Sequence, residues 1–246
     1  MAPAGYGSRV EGLHAVTAAA TAGRVRTLWV EESRLQRPEI RSIVEAVGQE
    51  RVKPVSDVRA MADSDAPQGV IAECATIDPV SLDGLTGETA AVVVLDHIED
   101  PHNVGAIARS ALASGMTGMV ISSRRQAPLS AVAFKAAAGA LESLPVAVVG
   151  SIPEALSRLK HGGIWIVGLE AGSGSSLFGL EILSEPVAIV VGAEGAGLSA
   201  LAAKRCDLLV EIPMAGGTES LNASVSAALA CFEIMRVRRS ASDTPG

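Results

Sequence analysis

The sequence predicts an α/β protein in two parts: a small N-terminal α/β unit, and a larger open, mostly parallel sheet with helices on both faces. Three observations carry this prediction. From residue 90 onward, six apolar runs (AAVVVLD, GMVIS, LPVAVV, GIWIVGL, PVAIVVG and DLLVEI) are continuous rather than alternating, as strands buried on both faces are. Helical segments stand between them, at 101–115, 129–141, 153–161 and 199–205, with a last helix from 220. The chain is 48% hydrophobic but only 2% aromatic, so its core must be built from Ala, Val, Leu and Ile, a composition that suits parallel strands covered by helices.

In chain order, VEGLHAVTAAATA (10–22) reads as a helix and RTLWVEE (26–32) as a strand. Pro38 opens EIRSIVEAVG as a helix with proline in its first turn, and VIAEC (70–74) is again extended. Residues 75–89, ATIDPVSLDGLTGET, are rich in Pro, Gly, Asp and Thr and read as a linker. The expected division is therefore a unit at 1–75, a linker at 76–89 and a second domain at 90–246. Asp100-Pro101 is a helix start, with Asp as N-cap and Pro at the first position. Val104, Ile107, Ala108, Ala111 and Leu112 then form a core stripe, and Arg109 falls off it. Near the end, the run Leu208 to Ile212 stops at Pro213, passes a glycine turn and opens a long helix at Thr218–Ser220. Leu221, Val225, Ala228, Leu229 and Phe232 give that helix its expected core face. Strand, glycine turn and helix start is where α/β proteins hold ligands, because free N–H groups and the helix dipole converge there.

Composition excludes several classes. The net charge of −7 argues mildly against a passive nucleic-acid coater, and so few aromatic residues supply base stacking poorly. The first 75 residues are nearly balanced in charge, however, and the acidic excess lies in the remainder. Three scattered cysteines without a C-x-x-C pair, and four histidines without H-E-x-x-H, point to reduced thiols and to no metal site. No signal peptide is visible and no apolar run approaches the roughly 18–20 residues that span a bilayer, so a soluble cytoplasmic protein without a membrane role is expected. GAEGAGLS (192–199) fits neither G-x-x-x-x-G-K-[ST] nor G-x-G-x-x-G. In GLEAGSGSSLFG (168–179), Leu177 stands where a dinucleotide fingerprint needs its third glycine. Both read as loops where backbone approaches a cofactor closely, which counts against a nicotinamide-dependent oxidoreductase.

Three segments, LDHIEDPHNVGAIARSALASG (95–115), VAIVVGAEGAGLS (187–199) and IPMAGGTESLNASVSAALACFEIMR (212–236), resemble in order the motifs of the SpoU-class, TrmH-like RNA ribose 2′-O-methyltransferases of the SPOUT superfamily. GLHAV (12–16) and KAAAGALESLPVAVV (135–149) add to a likeness that covers nearly the whole chain, nearest to the branch that methylates a guanosine of 23S ribosomal RNA. The resemblance implies S-adenosylmethionine as cofactor, a trefoil knot, a homodimer with the helix from 220 near its interface, and a ribosomal-protein-like RNA-binding unit at 1–75. By position it makes Asn103 and Arg109 the asparagine and arginine at the reacting ribose, Glu194 the motif glutamate, and Ser220 with Asn222 the polar pair of the third motif. Gly192, Ile212 and Leu221 match adenosylmethionine-binding positions, and Gly168 and Leu169 open a further cofactor loop. Guanidinium is effectively always protonated, so Arg109 is better read as a phosphate clamp and stabiliser of a developing alkoxide than as a base. Arg124 and Arg125, after GMVIS, are candidates for RNA phosphate contact, whereas Arg236, Arg238 and Arg239 suit the negative end of the last helix. A transfer-RNA ribose methyltransferase and a non-catalytic RNA-binding or ribosome-assembly factor are the alternatives. The unit at 1–75 argues against the first, and the intact motif residues argue against the second.

Overall fold

Two sheets organise the chain in the computed structural model, which describes residues 5–216 and 220–242. The first contains β1 (Arg9–Glu11), β2 (Val25–Glu31), β3 (Val52–Val55) and β4 (Val70–Cys74) in the order β1-β4-β2-β3. β4 runs antiparallel to β1 and β2, and β3 parallel to β2. Helices α1 (Leu13–Thr21) and α2 (Pro38–Val47) cover one face, where Val10, Leu28, Val30, Val70 and Ala72 share a core with Ala15, Val16, Ala19, Ile40 and Ile43. Pro38 does open α2, and Pro54 is confined to an edge strand, where a missing N–H does least harm.

One element differs from the sequence reading. Val10 and Glu11, expected in a helix, form strand β1, and Gly12 turns the chain at a φ of 86° before α1 begins. A three-residue strand carries too little pattern to be seen. It is fixed by tertiary bonds instead: the buried Glu11 carboxylate accepts the Asp63 and Ser64 amides at 2.7 and 2.9 Å.

The second sheet contains β5 (Ala91–Asp96), β6 (Gly118–Ser122), β7 (Val146–Val149), β8 (Trp165–Leu169), β9 (Val187–Gly192) and β10 (Leu208–Val210). Its order is β10-β8-β9-β5-β6-β7, and neighbouring strands are parallel throughout. The chain runs outward from β5 to β7, crosses back to β8, and then inserts β9 between β8 and β5, so the direction of winding changes beside β9. Alternate strand residues feed two cores. Val93, Leu95, Met119 and Ile189 join α3 (Pro101–Ala113), α4 (Ala131–Ala137) and α7 (Ala223–Ser242), whereas Val92, Val94, Val120 and Val190 join α5 (Ile152–His161) and α6 (Ala200–Ala203). Burial on both faces is why these strands read as unbroken apolar runs.

Residues 75–89 are not a free tether. Leu82 and Leu85 are buried in the second core, and the Val80 amide donates to Val146 on edge strand β7 at 2.9 Å. The two sheets are also bolted together. The Arg24 guanidinium grips the Glu142 carboxylate and the carbonyls of Gly7 and Ala75, and lies 5.9 Å from the Phe134 ring.

The last helix holds the largest departure. It begins at Ala223, with Asn222 before it, and the expected start at Thr218 lies outside the described residues. Val225, Leu229 and Phe232, read from sequence as its core face, are 46%, 37% and 42% exposed, and Leu112 on α3 is 39% exposed. The buried stripe is Ala223, Ala227, Ala230, Cys231 and Ile234. Small side chains let α7 lie close on α3 and the sheet, and that turns its bulkier apolar residues outward.

Candidate functional site

A cleft of about 350 Å³ opens beyond the carboxyl ends of β8, β9 and β10, the place where open α/β sheets hold ligands. Its walls are 169–171, 191–197, 210–214 and 220–226. The 192–199 loop folds back on itself. Ala193 and Gly197 exchange backbone hydrogen bonds of 3.1 and 2.9 Å, and a Cβ on Gly192 would sit 2.2 Å from the Gly197 carbonyl group. Gly195 is required for a different reason, a φ of 76° in open space.

Three acids, Asp96 and Glu233 buried and Glu170 half-buried, hold backbone in place around the cleft. Asp96, the last residue of β5 and fully buried, accepts the Ser199 amide at 2.7 Å through Oδ2, while its Oδ1 lies 2.8 Å from His97 Nδ1. Ser199 in turn caps α6. Glu170 Oε2 accepts the Leu198 amide at 3.3 Å, from the other side of the same loop. Glu233 on α7 accepts the Gly179 amide at 2.7 Å and pairs with Arg236, which holds its carboxyl below the usual carboxylate range.

The lining is acidic. Among the described residues Glu170, Glu194 and Glu211 reach the cleft and no Lys or Arg does, while Leu169, Val191, Ile212 and Leu221 give it apolar walls. Such a cavity favours a cationic ligand with apolar parts and disfavours a di- or triphosphate. Of the candidate residues, Leu169, Gly192, Glu194, Ile212, Ser220 and Leu221 line it together. Gly168 does not. Strand alternation turns it to the opposite face, where a Cβ would meet Leu198, Cys206 and Leu209 within 2.9 Å. Asn222 sits at the rim as a cap: its Oδ1 accepts the Ser224 amide at 2.8 Å, and its Nδ2 reaches Glu194 at 3.4 Å.

Asn103 and Arg109 lie on α3 outside the cleft lining. Asn103 is half-buried, and Arg109 is exposed without a hydrogen bond or ion pair among the described residues. Arg124 and Arg125 are exposed on the loop after β6. Arg238, read from sequence as a complement to its helix end, instead donates to the carbonyls of Thr89, Ala90 and Glu185 at 2.7–2.8 Å, pinning α7 to the loops at the opposite end of the sheet's strands. The sequence reading placed the 168–179 loop at the cofactor but singled out none of the Asp96, Glu170 and Glu211 side chains. Asp96 had a signal, an acid ending the apolar run VVVL at the ligand-binding end of a strand.

Comparison with known proteins identifies relatives of both parts of the chain. Residues 90–232 match the SpoU rRNA Methylase family, and residues 9–80 match the RNA 2′-O ribose methyltransferase substrate-binding family. A tRNA/rRNA methyltransferase of Synechocystis is 50% identical over 147 residues, which are 60% of this chain and only 38% of that relative. A TrmH family tRNA/rRNA methyltransferase of Staphylococcus saprophyticus is 34% identical over 238 residues, 93% of this chain and 95% of the relative. The crystal structure of the SpoU methyltransferase AviRb from Streptomyces viridochromogenes in complex with AdoMet superposes with a TM-score of 0.79 at 28% identity, covering 94% of this chain and 90% of that one.

Proposed function

This chain belongs to the SpoU rRNA methylase family, and on that premise we propose that it is an S-adenosylmethionine-dependent 2′-O-methyltransferase acting on a ribose, that of a guanosine, in 23S ribosomal RNA. The observation that carries the proposal is the acidic cleft with apolar walls. Adenosylmethionine presents an adenine, a ribose diol, a sulfonium and an ammonium group. The residues present suit it: apolar side chains for the adenine, crowded loop backbone for its edges, and carboxylates for the cationic groups. When bound, the cofactor supplies an electrophilic methyl group. The chain's own part is to bind and orient. Gly192, Ile212, Leu221 and Leu169 form the cofactor site, Asp96 and Glu170 fix the loop that walls it, and Ser220 and Glu194 in the lining, with Asn222 at the rim, act toward the incoming ribose.

Arg109 and Asn103 act on the RNA side. An exposed guanidinium that is unpaired among the described residues is free to clamp a substrate phosphate and to stabilise charge developing on the 2′-oxygen. The proposed protein is a homodimer. The exposed apolar residues Val225, Leu229 and Phe232 on α7 support this, because a second copy would cover them. The unit at 1–75 is read as the RNA-binding domain, 76–89 as its connection and 90–246 as the methyltransferase domain, with the trefoil knot and a cytoplasmic location part of the same reading. The test incubates the protein with methyl-labelled adenosylmethionine and either unmodified 23S rRNA or unmodified tRNA, then maps ribose methylation. A single methylated guanosine in the rRNA is expected. Methylation confined to tRNA moves the assignment to the transfer-RNA enzymes, and no methylation of either defeats it.

A further inference from the structure

On its second face the N-terminal sheet is roofed over Glu11 and Ile71, both fully buried, but stays open around one aromatic side chain. Of the six aromatic residues in the chain, Phe134 is buried, with Tyr6 against it at 6.2 Å, while Phe178, Phe232 and Trp165 are exposed elsewhere. The sixth, Trp29 on β2, is half-buried and borders a groove of about 390 Å³ with Ser8, Arg9, Arg26, Glu73 and Thr76.

The local backbone has been bent to build this groove. Val25 pairs with Cys74 and Thr27 with Glu73, so β2 carries one extra residue, Arg26, at a β-bulge. A bulge re-aims a side chain. Here it turns Arg26 out to solvent and onto the groove, where it makes no ion pair among the described residues. On the other side of Trp29, its register partner Lys53 places Nζ 5.6 Å from the indole centroid, also without a carboxylate partner. An indole flanked by two cations that form no ion pair among the described residues, with the Glu73 carboxylate and Thr76 hydroxyl beside it, offers a wall to stack on, charges for phosphates and acceptors for a base's amino edge.

We propose that this groove binds one unpaired nucleotide of the RNA substrate. Its base lies against Trp29, and its flanking phosphates are held by Arg26 and Lys53. The proposal rests on the RNA-modifying reading above and locates substrate recognition on the sheet face rather than on the 1–75 unit as a whole. A duplex cannot present its bases to such a wall, so the site selects single-stranded segments.

The test exploits the presence of only two tryptophans. In a Trp165→Phe protein all indole fluorescence comes from Trp29, and titration with a single-stranded hexaribonucleotide should quench it saturably, with an affinity that falls as salt is raised. Arg26→Ala, at an exposed position where folding is not at stake, should weaken that affinity about tenfold. Trp29→Leu, which removes the reporting indole and is read instead by the anisotropy of an end-labelled hexaribonucleotide, should do the same, with Trp29→Phe retaining most of the binding. In methylation assays Trp29→Leu should raise KM for RNA about tenfold while leaving kcat within about twofold and adenosylmethionine affinity unchanged. No quenching, equal quenching by the same sequence as a duplex, or an unchanged RNA affinity in Arg26→Ala and Trp29→Leu overturns the proposal, even if the wild type methylates RNA normally. If the wild type methylates no RNA, the functional reading fails, and the hexanucleotide titration still decides the groove.

Discussion

Gly192→Ala is the sharpest test of the cofactor loop. The added methyl carbon would lie 2.2 Å from the Gly197 carbonyl carbon and oxygen and 2.5 Å from the Leu198 nitrogen, all backbone atoms that cannot rotate away. Restoring ordinary contact requires that strand of the loop to retreat by about 1 Å or more. The retreat acts on the two Ala193–Gly197 hydrogen bonds and on the Leu198–Glu170 bond. At about 0.5–1.5 kcal/mol each, losing two of them removes roughly 1–3 kcal/mol of loop order. The cofactor must then restore that order on binding, so S-adenosylmethionine affinity should fall roughly 10- to 100-fold. Gly195→Ala provides the control. It meets nothing within 4 Å and carries only the left-handed strain of its φ of 76°, about 1–2 kcal/mol. Isothermal calorimetry with S-adenosylmethionine on both variants, with thermal melting to confirm folding, reads the difference. A folded Gly192→Ala protein that binds within twofold of wild type would show that the 192–199 loop is not the cofactor wall.

Three further expectations follow from particular contacts. Arg109→Ala should lower methyl transfer about 10²–10³-fold or more, with adenosylmethionine affinity unchanged, and Arg109→Lys should rescue little, because a point charge cannot reproduce the planar fork; near-normal turnover on unmodified rRNA would remove Arg109 from the chemistry. Phe232→Glu, on the exposed face of α7, should convert a micromolar dimer to monomer in light scattering without lowering the yield of folded protein, and a wild type that is already monomeric would defeat the dimer. Stability should fall at both pH extremes. Glu11, whose hydrogen bonds from Ser64, Asp63 and Arg9 outweigh the opposing effect of burial, and Glu233 both titrate below the usual carboxylate value of 4.5, so their contribution is present above that pH and lost as pH drops through the folded values. Burial pushes the Cys206 and Cys231 thiols up to about 12 and Cys74 to about 11, so their contribution is complete below pH 9 and lost as pH rises from there. Melting temperatures across pH 3–11 test both arms, and Glu11→Gln should flatten the acid one.

The six parallel strands were legible because burial on both faces leaves no polar positions to blur an apolar run, and α2 and α3 were legible because Pro38 and Asp100-Pro101 mark their starts chemically. The cofactor loop showed itself through glycines whose need is local: Gly192 for close approach and Gly195 for its φ. What the sequence could not decide is which of two apolar faces a helix buries. On α7 the Val225, Leu229 and Phe232 face and the Ala223, Ala227 and Ala230 face both repeat at helical spacing, and only the closeness of α3 and the sheet selects the smaller one for the inside. The same limit hid Glu11, Asp96 and Glu170. Each looks like a solvated acid until distant backbone amides, at 63–64, 199 and 198, are brought against it. Periodicity and capping are properties of neighbours in the chain and can be read from it, whereas the amides that hold these three acids lie up to 103 residues away and are met only once the sheet has closed.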